Sequence, residues 1–78
     1  MTKSHDISDC IRSALETYFN DLDGETPTDV YNMVLKSVER PMLEVILKQA
    51  EGNQTLAAQM LGINRNTLRK KITEHQLL

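Results

Sequence analysis

The sequence predicts an all-α protein, on three observations. Apolar residues recur at spacings of three and four along nearly the whole chain. Period-two alternation is missing and aromatics make up only 4% of residues, so no strand signal competes. Glycines, prolines and capping side chains fall where they divide the chain into four helical segments.

The first segment places Ile7, Ile11, Leu15, Tyr18, Phe19 and Leu22 on one apolar face. Asp6 or Ser8 caps its start and Gly24 ends it. A loop over 24–28 follows. Thr26, Pro27, Thr28 and Asp29 form a helix start: a hydroxyl for free amides, a proline for the first turn, an acid for the positive end of the dipole. The second helix is expected from about Thr28 to Ala50. Its apolar residues occupy more than one stripe, so it should be covered on several sides, which a chain this small does badly alone. Pro41 predicts a kink rather than a stop, because the periodicity continues past it. Gly52 is then expected at the left-handed position after the second helix, and Asn53 at the cap of a third helix over 54–61. Gly62 ends the third helix, and Asn64 caps a fourth over about 65–75 with Leu68 and Ile72 inward.

Seventy-eight residues beginning with Met read as one complete small domain. A core this size rarely supplies more than about 3–5 kcal/mol, so a staple is expected. Cys10 is the only cysteine, which excludes a disulfide within the chain. Cys10, His5 and His75 are too few and too badly spaced for zinc. Oligomerisation is the staple that remains. A lone cysteine, no apolar run near the roughly 18 residues of a membrane span, and no signal-peptide core together predict a soluble cytoplasmic protein.

The net charge of −2 conceals a split. Residues 1–51 carry ten acidic side chains against five basic ones, whereas residues 52–78 carry Arg65, Arg69, Lys70 and Lys71 against Glu74 alone. The segment 52–72, GNQTLAAQMLGINRNTLRKKI, has the parts of a helix-turn-helix. Ala58 is small where two helices would cross, and Gly62 turns sharply between them. Leu61, Ile63, Leu68 and Ile72 are expected to anchor the second helix on the first. Asn64, Arg65, Thr67 and Arg69 cluster near the N-terminus of that second helix, the end that meets base edges in this motif. Arginine forks onto guanine and asparagine pairs with adenine. Thr67 and Asn53 suit phosphates, and Lys70 and Lys71 add charge for the backbone. A polar-faced helical hairpin without DNA would satisfy the same spacing, and so would a helical dimer that binds only protein partners.

The run GNQT–AA–M–GINR–TLRKK resembles the C-terminus of the Fis family of nucleoid DNA-binding proteins. Upstream, ALETYFNDLDG and DVYNMVLKSVERPMLEVIL resemble that family's first two helices, proline included. The resemblance implies a homodimer of four-helix subunits that binds and bends DNA in nucleoid organisation and transcription regulation. Residues 1–6 would be a short tail, residues 7–51 the intertwined dimerisation helices, and residues 52–78 the DNA-binding region. By position, Asn64 and Arg65 would contact bases; Asn53, Thr55, Thr67, Arg69, Lys70 and Lys71 would contact the DNA backbone. Several positions depart from the family pattern. The N-terminal arm that engages recombinases does not fit before Ile7. Leu56, Thr73 and Glu74 replace cations, and Asn66 replaces a glycine. Glu51 replaces an arginine at the turn used to touch RNA polymerase, which argues against that partner.

Cys10 is expected as a small core or boundary residue, and His5 and His75 as solvated terminal residues. No nucleophile, base or metal cluster is spaced for chemistry. The chain is therefore expected to be no enzyme and to need no cofactor, metal or small-molecule ligand.

Overall fold

The structure is a computed structural model that describes residues 4–77, with side chains from Asp6 onward. It is all-helical: α1 spans Ser4–Asp21, α2 Val30–Gln49, α3 Gln54–Leu61 and α4 Arg65–Glu74, with no strand among the described residues. The chain divides into two compact units, Met1–Val30 and Tyr31–Leu78.

In the first unit, α1 starts earlier than either expected cap, so Asp6 lies in its first turn and Ser8 inside the helix. The acid still suits the positive end of the dipole. Asp23 (φ 52°) and Gly24 (φ 89°) turn left-handed after the helix, where glycine carries no steric penalty. Ile11, Leu15, Tyr18 and Leu22 are half-buried, while Ile7 and Phe19 are exposed. The Tyr18 and Phe19 rings meet edge to face at 5.8 Å. Cys10 is exposed, against the expectation of a core or boundary position: its neighbour one turn back on the helix, Ile7, is exposed as well.

The second helix begins at Val30, two residues later than expected. Asp29 adopts a left-handed backbone (φ 62°) and interrupts the helical run, so Pro27 stays outside the first turn. Aspartate is among the residues that accept this conformation best. The helix continues through Pro41.

Helices α2, α3 and α4 end in one motif, in which two amides fold back onto orphan carbonyls. After α2 the bonds are Gly52 N–H to Leu47 C=O (3.0 Å) and Glu51 N–H to Lys48 C=O (3.0 Å). After α3 they are Ile63 N–H to Ala58 C=O (3.0 Å) and Gly62 N–H to Gln59 C=O (3.2 Å). After α4 they are Leu77 N–H to Ile72 C=O (3.0 Å) and Gln76 N–H to Thr73 C=O (3.1 Å). The left-handed residue is therefore Glu51 (φ 53°), Gly62 (φ 75°) and Gln76 (φ 55°) in turn. Gly52 was expected at this position after α2; it comes one residue later, also at positive φ (81°).

The core gathers Leu43 of α2, Ala50, Ala57 and Ala58 of α3, and Leu68 and Ile72 of α4. Ile46, Leu47, Leu61 and Leu77 pack around it. The C-terminal half of α2 thus forms the platform on which α3 and α4 rest. Ile63 is not the anchor it was expected to be. It is 37% exposed, because the turn at Gly62 swings it outward, and Leu77 packs against the core from the end of α4 instead.

Candidate nucleic-acid interface

Two alanines permit the close approach of α3 and α4. Ala57 and Ala58 are buried under Leu68 and Ile72, whose side chains fix the inward face of α4. Both helices start on asparagine caps. Asn53 Oδ1 accepts the Leu56 amide at 3.1 Å, and Asn64 Oδ1 accepts the Asn66 amide at 2.7 Å. Each satisfies an amide that the helix leaves without a partner.

Arg65, Asn66, Thr67, Arg69 and Lys70 are all exposed. Among the described residues no carboxylate pairs with Arg65, Arg69 or Lys70. Arg69 borders a shallow depression with Gln54, Ile72 and Thr73, which brings its cation beside the first turn of α3. Asn53 and Thr55 are exposed at that same helix start. The structure thus sets Arg69 beside Gln54, whose chain neighbours are Asn53 and Thr55, and places Asn64, Arg65 and Thr67 at the start of α4.

Lys71 is placed differently from the other cations. It is half-buried and its Nζ lies 3.1 Å from Glu39 Oε2 on α2. The other oxygen of Glu39 meets His75 Nε2 at 2.8 Å. Arg40 donates to the His75 carbonyl and pairs with Glu44 at 3.5 Å. His75 is therefore not the solvated terminal residue expected: its side chain is only 12% exposed. Glu39 did not stand out in the sequence and nothing there linked it to His75, since 36 residues separate them and no periodicity joins them. The His75 hydrogen bond, reinforced by Lys71 and opposed by partial burial, holds the Glu39 carboxyl below its ordinary 4.5. Glu39 in turn raises the Lys71 ammonium above 10.5, by hydrogen bond and then by charge. One carboxylate thus ties the C-terminal half of α4 to α2.

The His5 side chain lies outside the described residues. Among those described, no group of His, Cys, Asp and Glu comes together as a metal site, and no helix is long and apolar enough to cross a membrane.

The structure defines a helix-turn-helix protein whose second helix turns unpaired cations to solvent. The sequence model described as "Bacterial regulatory protein, Fis family" matches residues 34–75. The chain is 60% identical to a Fis-like DNA-binding protein of Ralstonia nicotianae over 72 residues, 92% of this chain and 94% of that protein. It is 50% identical to a Fis-like DNA-binding protein of Pseudomonas aeruginosa over 72 residues, 92% of this chain and 69% of that one. It is 48% identical to the DNA-binding protein Fis of Mannheimia haemolytica over 69 residues, 88% of this chain and 70% of that one. The chain belongs to the Fis family.

Proposed function

We propose that the chain binds double-stranded DNA as a homodimer, seats α4 in the major groove and bends the duplex, acting on the bacterial nucleoid in compaction and transcription regulation. The observation that carries this reading is the exposed face of α4. Arg65, Arg69 and Lys70 stand on a helix-turn-helix with no internal counterion, in a chain that is acidic overall. Charges held unpaired on one helix are a phosphate-binding surface. Arg65, near the N-terminus of α4, contacts base edges, with a fork that matches guanine O6 and N7. Asn53, Thr55, Thr67, Arg69 and Lys70 hold the backbone. Lys71 contributes less, being engaged by Glu39. Asn64 keeps its amide hydrogens and one oxygen lone pair for a base, the other lone pair being used as a cap.

The dimer rests on α2. Tyr31, Leu35, Val38, Met42 and Val45 repeat at alternating steps of four and three, a seam of the kind that pairs helices. Tyr31 is 76% and Val45 57% exposed in a single chain. A second copy covers this stripe. Two α4 helices must then reach successive major grooves, about 34 Å apart on straight DNA. In the Fis-like dimer they sit closer, so the duplex curves toward the protein. Bending by 40–90° costs on the order of 1–6 kcal/mol, offset by phosphate contacts on the flanks. The acidic Glu51 gives no support to an RNA polymerase contact, which forms no part of this reading.

The test compares Arg65→Ala with Lys70→Ala on a selected duplex and on a scrambled one. Arg65→Ala should lose about 1–3 kcal/mol per half-site, on the selected site alone. Lys70→Ala should weaken both duplexes alike. A helical dimer that serves only protein partners would retard neither duplex.

A further inference from the structure

The roll of α4 about its own axis is fixed on one side by burial and charge together. Leu68 and Ile72 are buried, and Lys71 and His75 are held by Glu39. A residue two positions from another lies about 200° around a helix of 3.6 residues per turn. Asn66 and Lys70, on either side of Leu68, therefore occupy the middle of the outward face. Asn66 also lies in the first turn, the part of a recognition helix that meets base edges.

The two asparagines at this helix start are not equivalent. Recognition of adenine by asparagine needs both halves of the amide, the oxygen to accept from N6 and the nitrogen to donate to N7. Asn64 has one of its oxygen's two lone pairs committed to the cap at 2.7 Å, which ties its side chain to the helix start. Asn66 receives that bond through its backbone, which fixes its place, and its exposed side chain has no partner. Both halves of its amide are free. We infer that Asn66 is a specificity-determining residue that reads an adenine in the major groove, once in each half-site. The inference rests on the DNA-binding reading above and adds a base contact to it.

The experiment selects bound duplexes from a randomised pool with the wild-type chain, Asn66→Ala and Asn66→Asp. Circular dichroism first checks that each variant is folded; position 66 is exposed and both replacements suit a first helical turn. Wild type should recover an adenine at one fixed position per half-site. Asn66→Ala should lose that preference and bind the selected site about 5- to 150-fold more weakly per half-site, with affinity for a scrambled duplex unchanged. Asn66→Asp should exchange adenine for cytosine, whose N4 donates to a carboxylate. Recovery of the wild-type site at wild-type affinity by Asn66→Ala would overturn the inference, and so would an equal loss on both duplexes, which marks a phosphate contact. Should the wild type retard no duplex, the DNA-binding reading falls first and this inference with it.

Discussion

Glu51 and Gly62 hold the same left-handed position in the same helix-ending motif, one with a side chain and one without. They make a matched pair of perturbations. A Cβ added at Gly62 meets nothing within 4 Å, so Gly62→Ala carries no packing penalty, only the backbone one. A left-handed backbone costs a residue with a side chain about 1–2 kcal/mol. Alanine recovers about 0.4–1 kcal/mol by restricting the unfolded chain. The net loss is then about 1 kcal/mol. Glu51→Gly reverses both contributions and should gain a similar amount. For a domain of this size, 1 kcal/mol shifts Tm by about 4–8 °C. Thermal unfolding followed by circular dichroism measures both, at one fixed protein concentration because a dimer's Tm depends on it. Gly62→Ala should melt lower and Glu51→Gly higher than the wild type. Wild-type melting of Gly62→Ala would refute the left-handed turn between the two helices on which the interface is built.

Two further perturbations separate assembly from tethering. Val45→Asp places a charge on the α2 seam at a residue exposed within one chain, whereas Ile46 next to it packs on the core. Sedimentation equilibrium at micromolar concentration should show a dimer for the wild type and a monomer for Val45→Asp; a wild-type monomer would end the dimer proposal. Glu39 titrates below its ordinary 4.5 when folded, so its contribution is complete above that value and disappears as pH falls through the folded pKa. The stability difference between wild type and Glu39→Gln, measured by urea unfolding, should favour the wild type at pH 7 and shrink toward pH 3, and a constant difference would remove the carboxylate from the tether.

The helix-turn-helix was legible because its signals are local. Asn53 and Gly62 bracket α3 and Asn64 opens α4, and each cap acts within three or four residues of itself. Pro41 was expected to kink α2 rather than stop it, and the helix does continue through it, as the apolar spacing does. The start of α2 was misplaced because Thr26-Pro27-Thr28-Asp29 has the composition of a cap, while the backbone spends Asp29 on a left-handed turn. Ile63 has the right spacing for an anchor, but the turn at Gly62 decides its direction, and periodicity does not extend through a turn. In the site, the exposed cations were legible as charge. The commitment of Lys71 and His75 to Glu39 was not, because it joins α2 to α4 across 32 and 36 residues.

The salt dependence of DNA affinity tests the central claim most directly. On the proposed reading, Arg69 and Lys70 of two subunits would neutralise about four phosphates, which gives a slope of log K against log salt of about −3.6. Lys71 adds little, because Glu39 already balances it. Titration of a duplex at stepped salt concentrations should return a slope near that value, and Lys70→Ala should flatten it by about 1.8. A duplex left unbound at low salt, or an affinity indifferent to salt, would contradict the account.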